Sequence, residues 1–168
     1  DPLVRAPLNS VGKYGGTITS VTTAPNQWAD PSHGRMPYLF SMDPGVQQVI
    51  PEIAKGYEIK NNSQTVVIYL REGMKWSDGH PFTVDDIMFW YEDEVLNKEL
   101  PQSGWAWKVQ GELAEFEKVD DYTLRINFPK SYRSAKAILN YWTTRQTAIF
   151  DPAHYMKQFH IKYNSDAD

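Results

Sequence analysis

The sequence predicts a mixed α+β fold of the α/β class, and three observations carry that expectation. Residues 65–70 alternate Val66, Ile68 and Leu70 with Thr65, Val67 and Tyr69, the period-two pattern of a strand. Residues 122–128 repeat it, with Leu124, Ile126 and Phe128 set against Thr123, Arg125 and Asn127. Between the two, Val84, Ile87, Met88, Tyr91 and Val95 recur at the spacing of a helix with one apolar face.

Each element has a local reason. Residues 1–13 read as a lead-in without regular structure, and Asp1-Pro2-Leu3 reads as a processed or engineered start. Gly15-Gly16 then opens a strand over residues 17–23, rich in β-branched side chains. Pro25, Asn26, Asp30-Pro31 and Gly34 mark a long loop after it. Pro44-Gly45 precedes a short helical segment with Val46, Val49 and Ile50 on one face; Pro51 interrupts it and Lys55-Gly56 closes it. Residues 57–60 are the hairpin partner of the strand at 65–70, joined by the turn Asn61-Asn62-Ser63.

Asp78-Gly79 is a second turn. Thr83 is the N-cap of the helix, and Asp85 and Asp86 fill its first turn, where the helix dipole favours anions. The stripe predicts that the helix runs to about residue 97. A loop over residues 100–111 carries Pro101, Gly104, Trp105 and Trp107. Residues 116–119, the Asp120-Asp121 turn and residues 122–128 form a hairpin. Ala135, Ile138, Leu139 and Trp142 predict a further helix. Asp151-Pro152 opens a last segment that ends in the polar Asn164-Ser165-Asp166. There is no internal repeat and no low-complexity tract.

Composition bounds the chemistry. A chain of 168 residues, 41% hydrophobic and 23% charged, is long enough for one globular domain with its own core. The net charge of −4 comes from interspersed acids and bases, with no basic run of the kind that grips nucleic acid. No apolar run has the length of a membrane-spanning helix. The absence of cysteine excludes disulfides, thiolate nucleophiles and cysteine-based metal sites, without fixing a compartment.

His33, His80, His154 and His160 show no i, i+4 zinc spacing, and His80, in a turn, is expected to be exposed. Asp85-Asp86, Asp120-Asp121 and Glu92-Asp93-Glu94 read as caps, turns and a solvated helix face rather than acid–base machinery. No P-loop, nucleophile elbow or dinucleotide fingerprint is present. The chain therefore reads as non-enzymatic, with no cofactor.

Aromatic residues are the unusual feature: 6 Trp, 10 Tyr and 7 Phe make up 14% of the chain. Several lie in polar segments with Gly and Pro, outside any periodic element. Such placement fits a surface that stacks on ligand; the competing reading is an aromatic-rich core.

Particular residues at the joints point to a family. Tyr69-Leu70-Arg71-Glu72-Gly73-Met74-Lys75-Trp76-Ser77-Asp78-Gly79-His80-Pro81-Phe82-Thr83-Val84-Asp85-Asp86-Ile87 combines a strand ending in Leu-Arg, a Gly turn, an aromatic, Asp-Gly, an apolar-Thr pair and a helix opening with Asp. Gly15-Gly16-Thr17-Ile18, Asp30-Pro31, Pro51-Glu52-Ile53-Ala54, Val119-Asp120-Asp121-Tyr122-Thr123-Leu124 and Ile149-Phe150-Asp151-Pro152-Ala153-His154-Tyr155 add matches in order over residues 14–160. In this composite the chain resembles the bacterial extracellular solute-binding proteins of family 5, the peptide- and oligopeptide-binding class that serves ABC importers. One departure is Ala29 before Asp30-Pro31, where the family usually places a larger aliphatic residue.

The resemblance implies the N-terminal part of a type II periplasmic-binding-protein-like fold, lobe I with its inserted subdomain. Residues 1–40 would be the lead-in, first strand and loop of lobe I. Residues 41–148 would be an inserted α+β subdomain carrying the signature, and residues 149–168 the start of the return to lobe I. Family members are several-fold longer, so the chain reads as a fragment lacking the second lobe.

The function so implied is substrate binding, periplasmic or cell-surface, for delivery to a membrane permease. The ligand class is oligopeptide or oligosaccharide; some family members carry nickel. By position, the cleft-lining loops fall on residues 23–28 and 103–107. There, Asn26 and Gln27 are expected to hydrogen-bond ligand, and Trp28, Trp105 and Trp107 to stack on it. Alternatively, these tryptophans pack against lobe I or the second lobe. The rival function is a freestanding carbohydrate- or peptide-binding module. An isolated fragment with open sheet edges is expected to self-associate.

Overall fold

Strand β4, Thr65–Leu70, organises the molecule, because its β-branched and aliphatic side chains pack on both sides of one sheet. The computed structural model describes residues 3–4, 7, 10–17, 38–42, 48–100, 107–135, 139 and 149–167. Among these, β4 pairs antiparallel with β3, Ala54–Lys60, and with β8, Thr123–Asn127; β8 pairs in turn with β7, Glu115–Asp120. The four-stranded order is β3-β4-β8-β7.

Register follows the alternation. Ile68 stands between Tyr57 and Leu124, and Val66 between Ile59 and Ile126, so one face of the sheet is continuously apolar. On the other face Val67 lies between Glu58 and Arg125, and Arg125 reaches Glu117 on β7 at 2.8 Å. Thr65 and Val67 are buried as well, because neighbouring strands shield both sides of a central strand. Thr65 meets its burial by donating to Asn127 Oδ1 and accepting from Asn61 Nδ2.

The apolar face is covered by helix α1, Val84–Phe89, which continues as a π-helical turn, Trp90–Val95. Thr83 is the N-cap as expected: its hydroxyl accepts from Asp85 N–H, while Asp86 reaches back to Thr83 N–H, closing a capping box. The wider winding is visible where Leu96 N–H donates to Tyr91 carbonyl, five residues back. Val84, Ile87, Tyr91 and Val95 are buried, as the stripe predicts.

Three expectations are corrected. The helix expected around Val46, Val49 and Ile50 is not what forms at its C-terminal end. Val49–Pro51 is strand β2, paired with β1, Phe40–Met42, and Lys55-Gly56 lies inside β3 at a register shift, not at a helix C-cap. Pro51 lacks the N–H that a helix interior needs, and Val49-Ile50 prefer the pleat.

The loop expected over residues 100–111 contains, at its end, strand β5, Lys108–Val109, which turns through Gln110-Gly111 into β6, Glu112–Leu113. Both turn residues have positive φ, 53° and 88°, the geometry of a tight hairpin; Gln in place of Asn or Asp hid it. Finally, Asp93 is buried, not part of a solvated face.

The strand expected at residues 17–23 and most of the helix around Ala135–Trp142 lie outside the described residues; Ala135 and Leu139, which are described, are helical and buried. After residue 149 the chain forms α2, Ala153–Met156, and a 3-10 turn, Lys157–Phe159.

Candidate functional site

The turn that follows β4 is built around one carboxylate. Lys75 and Pro81 bridge as isolated β-partners, bringing Trp76 over the start of α1. Asp86, the third residue of the helix, is almost wholly buried. Its Oδ2 accepts from Trp76 Nε1 at 3.1 Å and from Thr83 N–H at 3.0 Å; its Oδ1 accepts from Ala153 N–H at 3.0 Å. Its backbone carbonyl accepts from Asp151 N–H at 3.2 Å. A buried carboxylate is tolerated only when so satisfied. Asp86 thereby joins the turn, the helix and the 149–156 segment.

Aromatic rings close the same junction. Phe150 packs on Trp76 and Phe82 at centroid distances of 6.1 and 5.2 Å. The imidazoles of His80 and His154 stack at 3.8 Å, nearly parallel, and His154 Nε2 lies 2.6 Å from Asp78 Oδ2. That hydrogen bond, and then the backbone N–H of His80, hold the Asp78 carboxyl below its ordinary range. His80 is exposed, as expected from its turn.

A second acidic group sits one helical face along. Asp86, Phe89 and Asp93 are spaced by three and then four residues, opposite the Ile87–Tyr91 stripe, and this second stripe meets residues 149–163. Asp93 is 4% exposed; Lys162 Nζ donates to its Oδ1 at 2.8 Å and Tyr163 hydroxyl to its Oδ2 at 2.7 Å. Burial works against the Asp93 charge, but Lys162 and Tyr163 outweigh it and hold the carboxyl below its usual range. Burial first, and then the charge of Asp151, push Glu94 up to about 7. Burial and the nearby Asp86 raise Asp151 as well.

None of this arrangement was anticipated as a unit. Asp86 was legible only as a cap, and Glu92-Asp93-Glu94 as a solvated run; the overlooked signal is the second stripe through Phe89.

Of the five expected ligand-contact residues, Asn26, Gln27, Trp28 and Trp105 lie outside the described residues. Trp107 is described and is 2% exposed. Its ring meets Phe116 edge-on at 5.2 Å and lies nearly parallel to Phe128 at 6.4 Å. Trp107 is a core residue, and its faces are occupied by protein, so stacking on ligand is not its role in this structure.

At the sheet end near β4 an open concavity of about 540 Å³ is lined by Lys55, Tyr69, Glu72, Asp120, Asp121 and Tyr122. Two of its carboxylates are already engaged, Asp120 with Tyr122 N–H and Asp121 with Lys118. Among the described residues no cluster of three or more His, Asp or Glu side chains is arranged to hold a metal ion, and no helix is long and apolar enough to cross a membrane.

Comparisons with known proteins give this framework a family. The family model of bacterial extracellular solute-binding proteins, family 5 Middle, matches residues 48–167. A periplasmic alpha-galactoside-binding protein of Rhizobium meliloti is 32% identical over 127 residues, 74% of this chain and 18% of that protein. The dipeptide-binding protein of Escherichia coli is 29% identical over 96 residues, 48% of this chain and 18% of that protein. Among solved structures, an oligopeptide-binding protein OppA superposes with a TM-score of 0.75 at 33% identity, covering 92% of this chain and 24% of that one. The periplasmic binding protein MelB of Agrobacterium fabrum, solved with stachyose, gives 0.61 at 31% identity, covering 76% and 20%. The chain thus spans about a fifth of the length of the relatives it matches. The mixed α/β architecture, the signature turn locked to its helix, and the family match over residues 48–167 agree: the chain belongs to the bacterial extracellular solute-binding proteins of family 5.

Proposed function

We propose that this chain is the subdomain-bearing part of the extracellular substrate-binding component of an ABC importer, periplasmic or at the cell surface. The whole receptor takes an oligosaccharide or oligopeptide and delivers it to a membrane permease. The observation that carries the reading is the family match over residues 48–167. Function in such a receptor is a ligand-driven shift between open and closed forms, with no bond made or broken.

Residues 41–148 are the inserted subdomain, whose sheet and helix α1 share one core that also takes in Leu39, Phe40, Ile149 and Phe150 from either side. Residues 149–168 lead back toward lobe I. Ligand contacts fall to Asn26, Gln27, Trp28 and Trp105, with the amides orienting polar groups and the indoles stacking. Tryptophan faces suit sugar rings, and two of the relatives bear on that class: one is named for alpha-galactosides and one was solved with stachyose.

The test is calorimetric titration of the full-length parent protein with stachyose and, separately, with a tripeptide. Saturable binding of either supports the receptor reading and picks its class; failure of both, together with binding of sugar by the 168-residue chain alone, would replace it with a freestanding module. Trp28→Ala and Trp105→Ala in the parent are each expected to weaken binding at least tenfold without lowering the melting temperature.

The chain on its own is proposed to self-associate. Phe159 and Ile161 are 62% and 73% exposed, an apolar surface that water disfavours. Light scattering at increasing concentration tests this; a concentration-independent monomer mass would exclude it.

A further inference from the structure

His160 closes a turn with its own ring: the Lys162 N–H donates to His160 Nδ1 at 3.1 Å, two residues back. Four other turns among the described residues close by the same bond. His80 N–H donates to Asp78, Glu99 N–H to Asn97, Tyr122 N–H to Asp120 and Asp166 N–H to Asn164, at 2.8 to 3.1 Å. In those four the acceptor is an Asp or Asn oxygen, which keeps its lone pairs between pH 5 and 8. An imidazole nitrogen accepts only while it carries no proton, so the fifth turn requires a neutral ring with its hydrogen on Nε2. We propose that His160 is a proton-operated turn: neutral, it holds Lys162 and Tyr163 on the buried Asp93; protonated, it releases them.

The turn carries the two groups that satisfy Asp93. Lys162 Nζ and the Tyr163 hydroxyl reach its two oxygens at 2.8 and 2.7 Å, and both residues follow His160 directly in the chain. The His160 carbonyl accepts from Tyr163 N–H at 2.9 Å and from Asn164 N–H at 3.0 Å, while the Lys162 peptide itself is held by the ring. From the helix, Phe89 meets the imidazole edge-on at 6.2 Å, and Asp93 attracts an imidazolium. From its own segment, the Tyr163 ring lies 5.5 Å away, with the ammonium groups of Lys157 and Lys162 each 5.0 Å from that ring's centre. The ring thus faces charge of both signs, and none of these groups replaces the acceptor that Nδ1 loses on taking a proton.

The sign follows from the bond. The closed turn belongs to the neutral imidazole, so it is complete at the upper end of the range in which imidazoles titrate, about pH 5 to 8, and is lost as pH falls through that range. The Asp93 carboxyl titrates below its ordinary range and stays ionised throughout, so the carboxylate that Lys162 and Tyr163 leave is still charged. Opening of the turn is expected to grow by about fivefold, the worth of one hydrogen bond.

The test is amide hydrogen exchange of the 168-residue chain at pH 5 and pH 8, corrected for intrinsic exchange. Residues 157–164 are expected to open about fivefold more at pH 5 than at pH 8, with residues 115–128 unchanged. His160→Asn puts an amide oxygen in the place of Nδ1, as at the other turns, so its opening should match the wild type at pH 8 and stay as low at pH 5. Glu94, Asp151 and the His154–Asp78 pair are common to both proteins, so the difference between the two profiles belongs to His160. Equal profiles in wild type and variant overturn the proposal. Nitrogen NMR of the imidazole gives a second reading: at pH 8 His160 should carry its hydrogen on Nε2, and a ring with its hydrogen on Nδ1 overturns the proposal whatever the variant does.

Discussion

Trp76 Nε1 donates to Asp86 Oδ2 across 3.1 Å, tying the aromatic residue of the signature turn to the third residue of helix α1. With Thr83 N–H and Ala153 N–H on the same carboxylate, one side chain satisfies three donors from three separate stretches of chain. Removing it leaves those donors unpaired in a buried place, which costs more than the bonds contributed. Asp86→Ala is expected to lower stability by about 3 kcal/mol or more, read as a fall in the urea midpoint with an unchanged slope. Asp86→Asn, which keeps one acceptor oxygen, should lose distinctly less.

Trp107 separates packing from ligand contact. It lies against Phe116 and Phe128 beneath the sheet, and Ala114 N–H donates to its backbone carbonyl at 2.8 Å. Trp107→Ala is expected to cost about 3–5 kcal/mol of stability, the range for deleting a buried aromatic. Thermal unfolding checks it; a melting temperature within two degrees of wild type would return Trp107 to the candidate ligand surface.

What the sequence discloses here depends on the range of the interaction. Strands β4 and β8, the Asp78-Gly79 turn and the Thr83 cap were legible, because alternation, turn chemistry and capping act over a few residues. Strand β2 was read as helix, since a three-residue strand has no period to detect and Pro51 fits either reading at a boundary. The carboxylate set was not legible for a deeper reason. Asp93 is buried by Lys162 and Tyr163, 69 and 70 residues away, and no local pattern announces a partner at that distance.

Asp93 also sets an acid limit. Its carboxyl titrates below the ordinary range when folded, so its contribution is complete above the unfolded value of about 3.9 and is lost as pH falls through the folded one. Lys162 is partly exposed, and solvent screens its share. Asp93→Asn is expected to cost about 1–2 kcal/mol at pH 7. The gap from wild type should narrow as pH falls below the unfolded value of about 3.9, as the unfolded chain and then the folded one take up the proton. Urea midpoints at pH 7 and pH 2.5 decide the matter; an equal gap at both would mean that the charge is irrelevant.

The β3–β4 turn stores strain that can be relieved. Asn61, Asn62 and Ser63 all hold φ between 51° and 62°, the left-handed region that costs an ordinary side chain about 1 kcal/mol. Asn tolerates it better than Ser. The turn is kept in place by the 128–132 stretch: Tyr132 N–H donates to the Ser63 carbonyl at 3.0 Å and Ser131 hydroxyl to the Asn62 carbonyl at 2.7 Å. Both bonds use backbone acceptors, so a glycine at position 63 keeps them and sheds the strain. Part of that gain is returned as chain entropy in the unfolded state. Ser63→Gly is expected to raise stability by up to about 1 kcal/mol, whereas Ser63→Val, β-branched in the same conformation, should lower it by more. Paired melting curves test the sign; a destabilised glycine variant would mean that the left-handed turn carries no strain at this position.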